Sequence, residues 1–300
     1  MSNGLSRLRK KEAIEFYLFI SPWIIGFLLF LGGPIVASAV LSFTDWNLLN
    51  PPSWVGVDNY LTIFTDDDMF WQSLKVTAIY TGASVPLGLM LSLLLALLLN
   101  TEVRGVRLFR TIYYLPSVMS GVAVALLWSW LFNPDFGLVN HLLGLFGIPG
   151  PTWLASETWA LPAMIIMSLW GAGQSMLIFL AGLQGIPQQL YEAAEIDGAS
   201  GWSRFVHVTL PMLSPVILFN LIMGIIGSFQ VFTQGYIMTN GGPNNATLFY
   251  VLNLYNQAFR NLRMGYASAL AWILFFIILG LTLLVIRESR ERVYYEGEVR

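Results

Sequence analysis

The chain carries few of the side chains that do covalent chemistry. Cysteine is absent, which removes thiolate metal sites, a cysteine nucleophile and any disulfide framework. The two histidines, His141 and His207, stand far apart and neither belongs to an HExxH pair. No GxxxxGK[ST] loop is present to cradle a nucleotide phosphate. What recurs inside long uncharged runs is a set of hydroxyls and amides: Ser117 and Ser120, then Ser168, Gln174 and Ser175 with Trp170 among them, then Asn220, Ser228, Gln230 and Gln234. Such groups beside an aromatic face suit a neutral polyol, which offers many hydroxyls and apolar C–H faces. Ser168, Trp170, Gln174, Ser228 and Gln230 form the candidate substrate-binding set. Each has a structural alternative, because the same residue types hydrogen-bond helix to helix within a membrane.

The elements that must position these groups are apolar. Hydrophobic residues make up 56% of the 300 and charged ones only 11%, against about a quarter charged in a soluble domain. Six long uncharged runs stand out: Phe16 to Thr44, Val76 to Thr101, Thr111 to Pro134, Thr158 to Tyr191, Leu213 to Met238 and Met264 to Ile286. Each is long enough to cross a hydrocarbon core, which takes about 20 residues of helix. Six buried core helices of this length would leave too little polar surface to cover them. The expectation is an all-α polytopic membrane protein with six transmembrane helices.

Arginine and lysine placement orients it. Of the 15 Lys and Arg, 12 precede the first run, follow the last, or lie between runs two and three or four and five. Lys75, Arg260 and Arg263 are on the other side. Basic residues favour the cytoplasmic side, so both termini are expected there: a basic N-terminus over residues 1–15, a transmembrane body over 16–286 and a tail over 287–300. The "ASA" at Ala37 to Ala39 imitates a signal-peptide cleavage site, but the apolar stretch before it exceeds a signal h-region, so it reads as an uncleaved first helix. The outward loop after it, with Pro51, Pro52 and Gly56, reads as short interfacial segments. Trp46, Trp54, Trp71, Trp128, Trp130, Trp153 and Trp159 all fall near outward ends of the runs, and most of them read as headgroup-level anchors rather than ligand-stacking rings.

One soluble-looking stretch, "LYEAAEIDGASGWSRFVHVTLP" from Leu190 to Pro211, lies on the basic side between runs four and five. Pro187 suits a first helical position, Gln188 to Asp197 are good helix formers, and Gly198 suits a left-handed cap. Ser200 can cap a second helix that runs through Val208 and stops near Pro211. Ala193 and Ala194 keep the first helix slim between the apolar anchors Leu190 and Tyr191 and the acids Glu192, Glu195 and Asp197. A slim anchored helix fits a partner's groove; an ordinary connecting helix accounts for the alanines equally well.

Glu192-Ala193-Ala194, Gly198, Val208 and Leu210-Pro211 resemble the EAA-x3-G-x9-I-x-LP signature of binding-protein-dependent ABC importer permeases, with Val208 in place of isoleucine. "RGVRLFRTIYYLPSVMSGVAVALLWSWLFNPDFGLVN", "TNGGP" (Thr239 to Pro243) and "GYASALAWILFFII" are similar to the sugar-type permeases of the carbohydrate uptake group, relatives of maltose and glycerol-3-phosphate permease subunits. The resemblance implies the ABC type I importer permease fold. It implies a coupling loop over residues 183–212, in which Glu192, Ala193, Ala194, Asp197, Gly198, Leu210 and Pro211 contact an ATPase subunit. It implies as partners a second permease subunit in a heterodimer, two ATP-binding subunits that use ATP and Mg, an extracytoplasmic substrate-binding protein, membrane lipid and a sugar. This chain would then carry no cofactor, metal or catalytic residue and would lie in a bacterial or archaeal cytoplasmic membrane.

Other function classes fit less well. A proton-coupled carrier marks its relay with buried ionisable residues, and the cores of these runs carry none; an inverted repeat is also missing. An intramembrane enzyme lacks its nucleophile and base. No basic patch interleaved with aromatics points to nucleic acid.

Overall fold

The computed structural model describes residues 2–101, 103–290 and 293. Arg292, Arg300 and most of the 287–300 tail lie outside the described residues. Among the described residues the regular structure is helical apart from one two-stranded ribbon, mostly helical as the all-α expectation has it. Two compact units form: residues up to Asp66 with Tyr255–Ile273, and Asp67–Leu254 with the residues from Leu274 on.

The first unit opens with α1 (Ser2–Phe27), a π-helical turn at Leu28–Gly32 and α2 (Gly33–Leu41). The most apolar stretch of Arg7–Leu41 buries none of its residues within the chain. The expected short segments follow as β1 (Thr44–Asp45), β2 (Ser53–Trp54) and α3 (Asp58–Thr65). The strands pair antiparallel with Thr44 opposite Trp54. Asn59 Nδ2 donates to the Ser42 and Thr44 carbonyls, both at 2.9 Å, and the Tyr60 hydroxyl donates to Ser42 Oγ at 2.8 Å. These bonds fold α3 back onto the end of α2. Met264 N–H donates to the Trp46 carbonyl at 2.8 Å.

The axis of the second unit is α4 (Asp68–Leu99), 32 residues long, or about 48 Å at 1.5 Å per residue. Asp67 caps it, its carboxylate accepting from the N–H groups of Met69 and Phe70 at 2.9 and 3.1 Å. There follow α5 (Val106–Tyr114), α6 (Gly121–Leu131), α7 (Leu138–Leu145), α8 (Ala160–Leu169), α9 (Gly173–Gln184), α10 (Gln188–Ile196), α11 (Gly201–Arg204), α12 (Leu210–Phe229), α13 (Tyr250–Tyr255) and α14 (Met264–Ser289). α8, α9 and α12 pack around α4. Near the Leu99 end the core is Ala96, Leu99, Met176, Phe179, Leu183 and Leu213; towards the Asp68 end it is Val76, Tyr80, Met164, Leu248, Phe249 and Leu252.

Four apolar helical stretches are continuous: Arg7–Leu41, Asp68–Leu99, Gly201–Phe229 and Met264–Ser289. The third and fourth runs are not straight spans. The third bends by 100° between Val106–Val118 and Gly121–Leu131, and the fourth by 41° between Ala160–Leu169 and Gly173–Gln184. At the first bend Pro116 withholds an N–H, the helix tightens to a 3-10 turn over Leu115–Val118, and Met119 is extended at ψ 148°. At the second, Gly173 lets α9 approach the backbone of α5, where a Cβ would meet the Tyr113 carbonyl and lie 2.8 Å from Tyr114 Cα. Trp153 also departs from its expected role as a surface anchor. It is 6% exposed, and its Nε1 donates to Asn140 Oδ1 at 2.6 Å.

Gly173→Ala should therefore destabilise the purified protein by about 1 to 3 kcal/mol, seen as a lower melting temperature. Gly144→Ala in α7, where an added Cβ meets nothing within 4 Å, should leave it unchanged or slightly raised. Equal melting temperatures for the two variants would refute the close approach of α9 to α5.

Candidate functional site

A polar cavity of about 490 Å³ opens between α4, α8, α9 and α12. α4 contributes Tyr80, Ser84, Gly88 and Ser92. Their four-residue spacing sets them on one face of the helix, a stripe legible in the sequence that the search for isolated hydroxyls and amides passed over. Ser168 comes from the end of α8, Gln174 and Ser175 from the start of α9, and Asn220 and Ser228 from α12, with Gln234 beyond it. Among the described residues, no Asp, Glu, Lys or Arg lines the cavity.

Several of these hydroxyls spend their proton on nearby backbone. Ser168 Oγ donates to the Ile165 carbonyl at 2.6 Å, Ser228 Oγ to Ile225 at 3.0 Å and Ser92 Oγ to Ala172 at 2.9 Å; Asn220 Nδ2 donates to Val216 at 2.9 Å. Their oxygens keep lone pairs with which to accept from a ligand. Tyr80 and Ser84 of α4 and Ser168 of α8 line the same chamber. The result is a neutral, donor-and-acceptor-rich chamber.

Of the candidate substrate set, Ser168, Gln174 and Ser228 line this cavity. Trp170 and Gln230 do not. Trp170 stands edge-on to Trp128, ring centroids 5.9 Å apart, and Gln230 is exposed at the end of α12. Each lies two residues beyond a lining serine, and on a helix i and i+2 point to different faces. Sequence proximity grouped what helical geometry separates.

The Leu190–Pro211 segment closes α10 with a paired cap. Gly198 takes φ +76°; its N–H donates to the Glu195 carbonyl at 3.0 Å and the Ala199 N–H to the Ala194 carbonyl at 2.9 Å. These are the two bonds of a Schellman motif. Nothing lies within 4 Å of a Cβ built on Gly198, so its backbone conformation is what calls for glycine. Ser200 then caps α11, its Oγ accepting from the Ser203 N–H at 3.2 Å. The helix does not stop at Pro211, as expected, but runs unbroken from Gly201 to Phe229. A π-helical turn over Phe205–Thr209 makes this possible: the Leu210 N–H reaches back to the Phe205 carbonyl, and Pro211 follows in the first turn of α12.

Two contacts that the sequence did not disclose join α10 to this helix. The Tyr191 and Thr209 hydroxyls are 3.0 Å apart, and Arg204 pairs with Glu195 at 3.3 Å. Tyr191 also packs on the core at the Leu99 end of α4. Glu192, Ala193, Asp197 and Gly198 are exposed, Ala194 is half-buried, and Leu210 and Pro211 are half-buried at the start of α12. Ile196 is 87% exposed and Trp202 73%, and Glu192, Glu195 and Asp197 of the same segment are exposed as well.

Comparison with known proteins finds that residues 84–289 match a family model described as "binding-protein-dependent transport system inner membrane component". The chain is 46% identical over 297 residues to the probable ABC transporter permease protein YesP of Bacillus subtilis (strain 168), covering 98% of this chain and 96% of that protein. It is 37% identical over 295 residues to the lactose transport system permease protein LacF of Rhizobium radiobacter, covering 96% and 98%. Among solved structures it is similar to a chain of a bacterial alginate ABC transporter in complex with an alginate pentasaccharide-bound periplasmic protein. That match has a TM-score of 0.81 at 27% identity and covers 94% of this chain and 96% of the other.

Proposed function

We infer what this chain does from the premise that it belongs to the binding-protein-dependent transport system inner membrane component family: it is the multi-pass permease subunit of an ABC importer, and its cargo is a saccharide or related polyol. The observation that carries the cargo assignment is the neutral cavity of hydroxyls and amides between α4, α8, α9 and α12. A charged substrate would need an opposite charge there, whereas a polyol needs many donors and acceptors. The lactose relative supports the same class.

In this reading the two bent pairs each count as one crossing, giving six spans. The basic ends and Leu190–Pro211 face the cytoplasm, and the Asp68 end of α4 faces outward. An extracytoplasmic binding protein delivers the sugar. Two ATP-binding subunits in the cytoplasm use ATP and Mg, and a second permease subunit completes the passage. Leu190–Pro211 is the joint: Glu192, Ala193 and the exposed Ile196 and Trp202 meet an ATPase subunit, and the Gly198 cap fixes the angle at which α10 is presented. Because Tyr191 ties α10 to Thr209 and to the core around α4, motion of α10 reaches the helices that line the cavity.

Sidedness is checked by single cysteines in this cysteine-free chain. Ser203→Cys should react with an impermeant thiol reagent only after cells are permeabilised, and Asp67→Cys in intact cells; the reverse pattern would overturn the orientation. For the joint, Glu192→Lys, Ala193→Trp and Gly198→Val should each leave the protein in the membrane and reduce uptake to background. The last pays at least about 1 kcal/mol for a Cβ at positive φ. Uptake is to be measured together with co-purification of the ATPase. Normal uptake with the ATPase bound in all three would reduce the segment to a connector.

A further inference from the structure

A second recess, about 720 Å³ in volume, lies at the Asp68 end of α4 and shares no lining residue with the polar cavity. Its rim is polar: Asp68, Gln72 and Lys75 from α4, Glu157 and Thr158 just before α8, and Asn244 from the loop after α12. Its floor is aliphatic, with Ile79, Leu161, Pro162 and Ile165. Asp68, Gln72, Lys75 and Ile79 are three or four residues apart and so share one face of α4, as Leu161, Pro162 and Ile165 share one of α8. α8 lies alongside α4, with Met164 and Val76 in one core layer. Both walls therefore run from polar to apolar in the same direction.

That gradient is the profile of a membrane surface. Trp71 and Trp159 flank the rim, 51% and 45% exposed, as amphipathic rings do at headgroup depth. Ile79 is also half-exposed, so the rest of the chain does not seal the floor. From Asp68 to Lys75 is about 10 Å of helix, against a headgroup layer about 5 to 8 Å deep. The four-carbon stem of Lys75 lets its ammonium rise the remaining distance.

An ammonium at the edge of hydrocarbon is costly unless it is paired. Among the described residues Lys75 forms no ion pair, and neither do Asp68 and Glu157. The recess thus offers one cation and two carboxylates above an aliphatic floor. Its loop wall is held in place from α4, where Gln72 Nε2 donates to the Asn245 carbonyl at 3.2 Å and Met69 Sδ lies 3.4 Å from Asn245 Nδ2. A matching ligand carries a phosphate and an amine side by side on an acyl tail.

We propose that this recess binds an amine-bearing zwitterionic phospholipid. Lys75 donates to its phosphate, Asp68 and Glu157 accept from its ammonium, and one acyl chain lies over Ile79, Leu161 and Ile165. Headgroup sites between membrane helices are built from such charges. An anionic phospholipid would meet the two carboxylates with no amine to offer them. A saccharide fits less well, because among the described residues no aromatic ring lines the recess and the floor would strip hydroxyls of their hydrogen bonds. The proposal requires the chain to lie in a membrane with the Asp68 end at one surface. It requires neither a saccharide cargo nor a particular sidedness, so it stands or fails apart from them.

The test places the assembled transporter in lipid nanodiscs, which expose both faces. A trace phospholipid carries a photoactivatable diazirine in its acyl chain and either an ethanolamine or a glycerol headgroup, and its adducts are mapped by mass on this chain. Adducts on Leu161–Ile165 are read relative to those on Phe276, an exposed apolar residue of α14. That ratio should be about fivefold higher for the ethanolamine lipid, the most that half-exposed charge pairs usually supply. Asp68→Asn with Glu157→Gln should remove the preference, Lys75→Ala should lower the ratio for both lipids, and Lys75→Arg should keep it. All of these side chains are exposed, so an unchanged melting temperature is expected to accompany each variant. Equal ratios for the two headgroups, or a preference that survives both Lys75→Ala and the double substitution, would overturn the proposal. So would the absence of adducts with either lipid, which would give the recess to a protein partner, or their loss on adding a neutral saccharide, which would give it to cargo.

Discussion

A polar group inside a membrane protein must find its partner within the protein, because lipid supplies none. The rest of this architecture follows from that constraint. It explains why Ser92, Ser168, Asn220 and Ser228 bond to nearby carbonyls while still facing a shared chamber. It explains why the loop after Asn240 can lie among buried side chains, since its threonines close its own carbonyls. It also explains why the Ala172 carbonyl, beside the bend between α8 and α9, accepts from Ser92 Oγ. A chamber for hydroxylated cargo is the same device with some acceptors left over.

Force has to reach that chamber from outside the hydrocarbon, and the Leu190–Pro211 segment is built for stiffness at the right places. The Schellman cap at Gly198 stops α10 sharply, Ser200 starts the next helix at once, and the π-helical turn carries that helix past Pro211 without a break. The exposed Arg204–Glu195 pair is worth little by itself. The Tyr191–Thr209 contact and the packing of Tyr191 on the α4 core make the firmer link.

Much of this was legible in residues whose meaning is local. Gly198 after a run of helix formers announced a positive φ, Ser200 announced a cap, and the uncharged runs announced apolar helices, four of them continuous. Where the reading failed, the deciding physics was non-local. Pro211 looked like a stop because a π-helical turn, which hides its missing N–H, leaves no mark in sequence. Trp170 and Gln230 lie two residues beyond Ser168 and Ser228, and that rotation takes them off the lining of the cavity. Trp153 looked like a surface anchor until Asn140 was found to receive its N–H. Tyr80, Ser84 and Ser92 were open to discovery by their four-residue spacing, but only α8, α9 and α12 closing over them make that face a site.

The measurement that bears most directly on the neutral cavity as the passage is uptake by the reconstituted assembly, with its binding protein, across a panel of neutral and acidic saccharides. It compares Ser228→Ala and Asn220→Ala with Gln230→Ala. The account expects the first two to lower or redirect uptake by about five- to a hundredfold, the equivalent of about 1 to 3 kcal/mol for a hydroxyl left unpaired, and the third to leave it unchanged. Uptake and preference unaltered by both cavity substitutions, with a loss in Gln230→Ala, would contradict it.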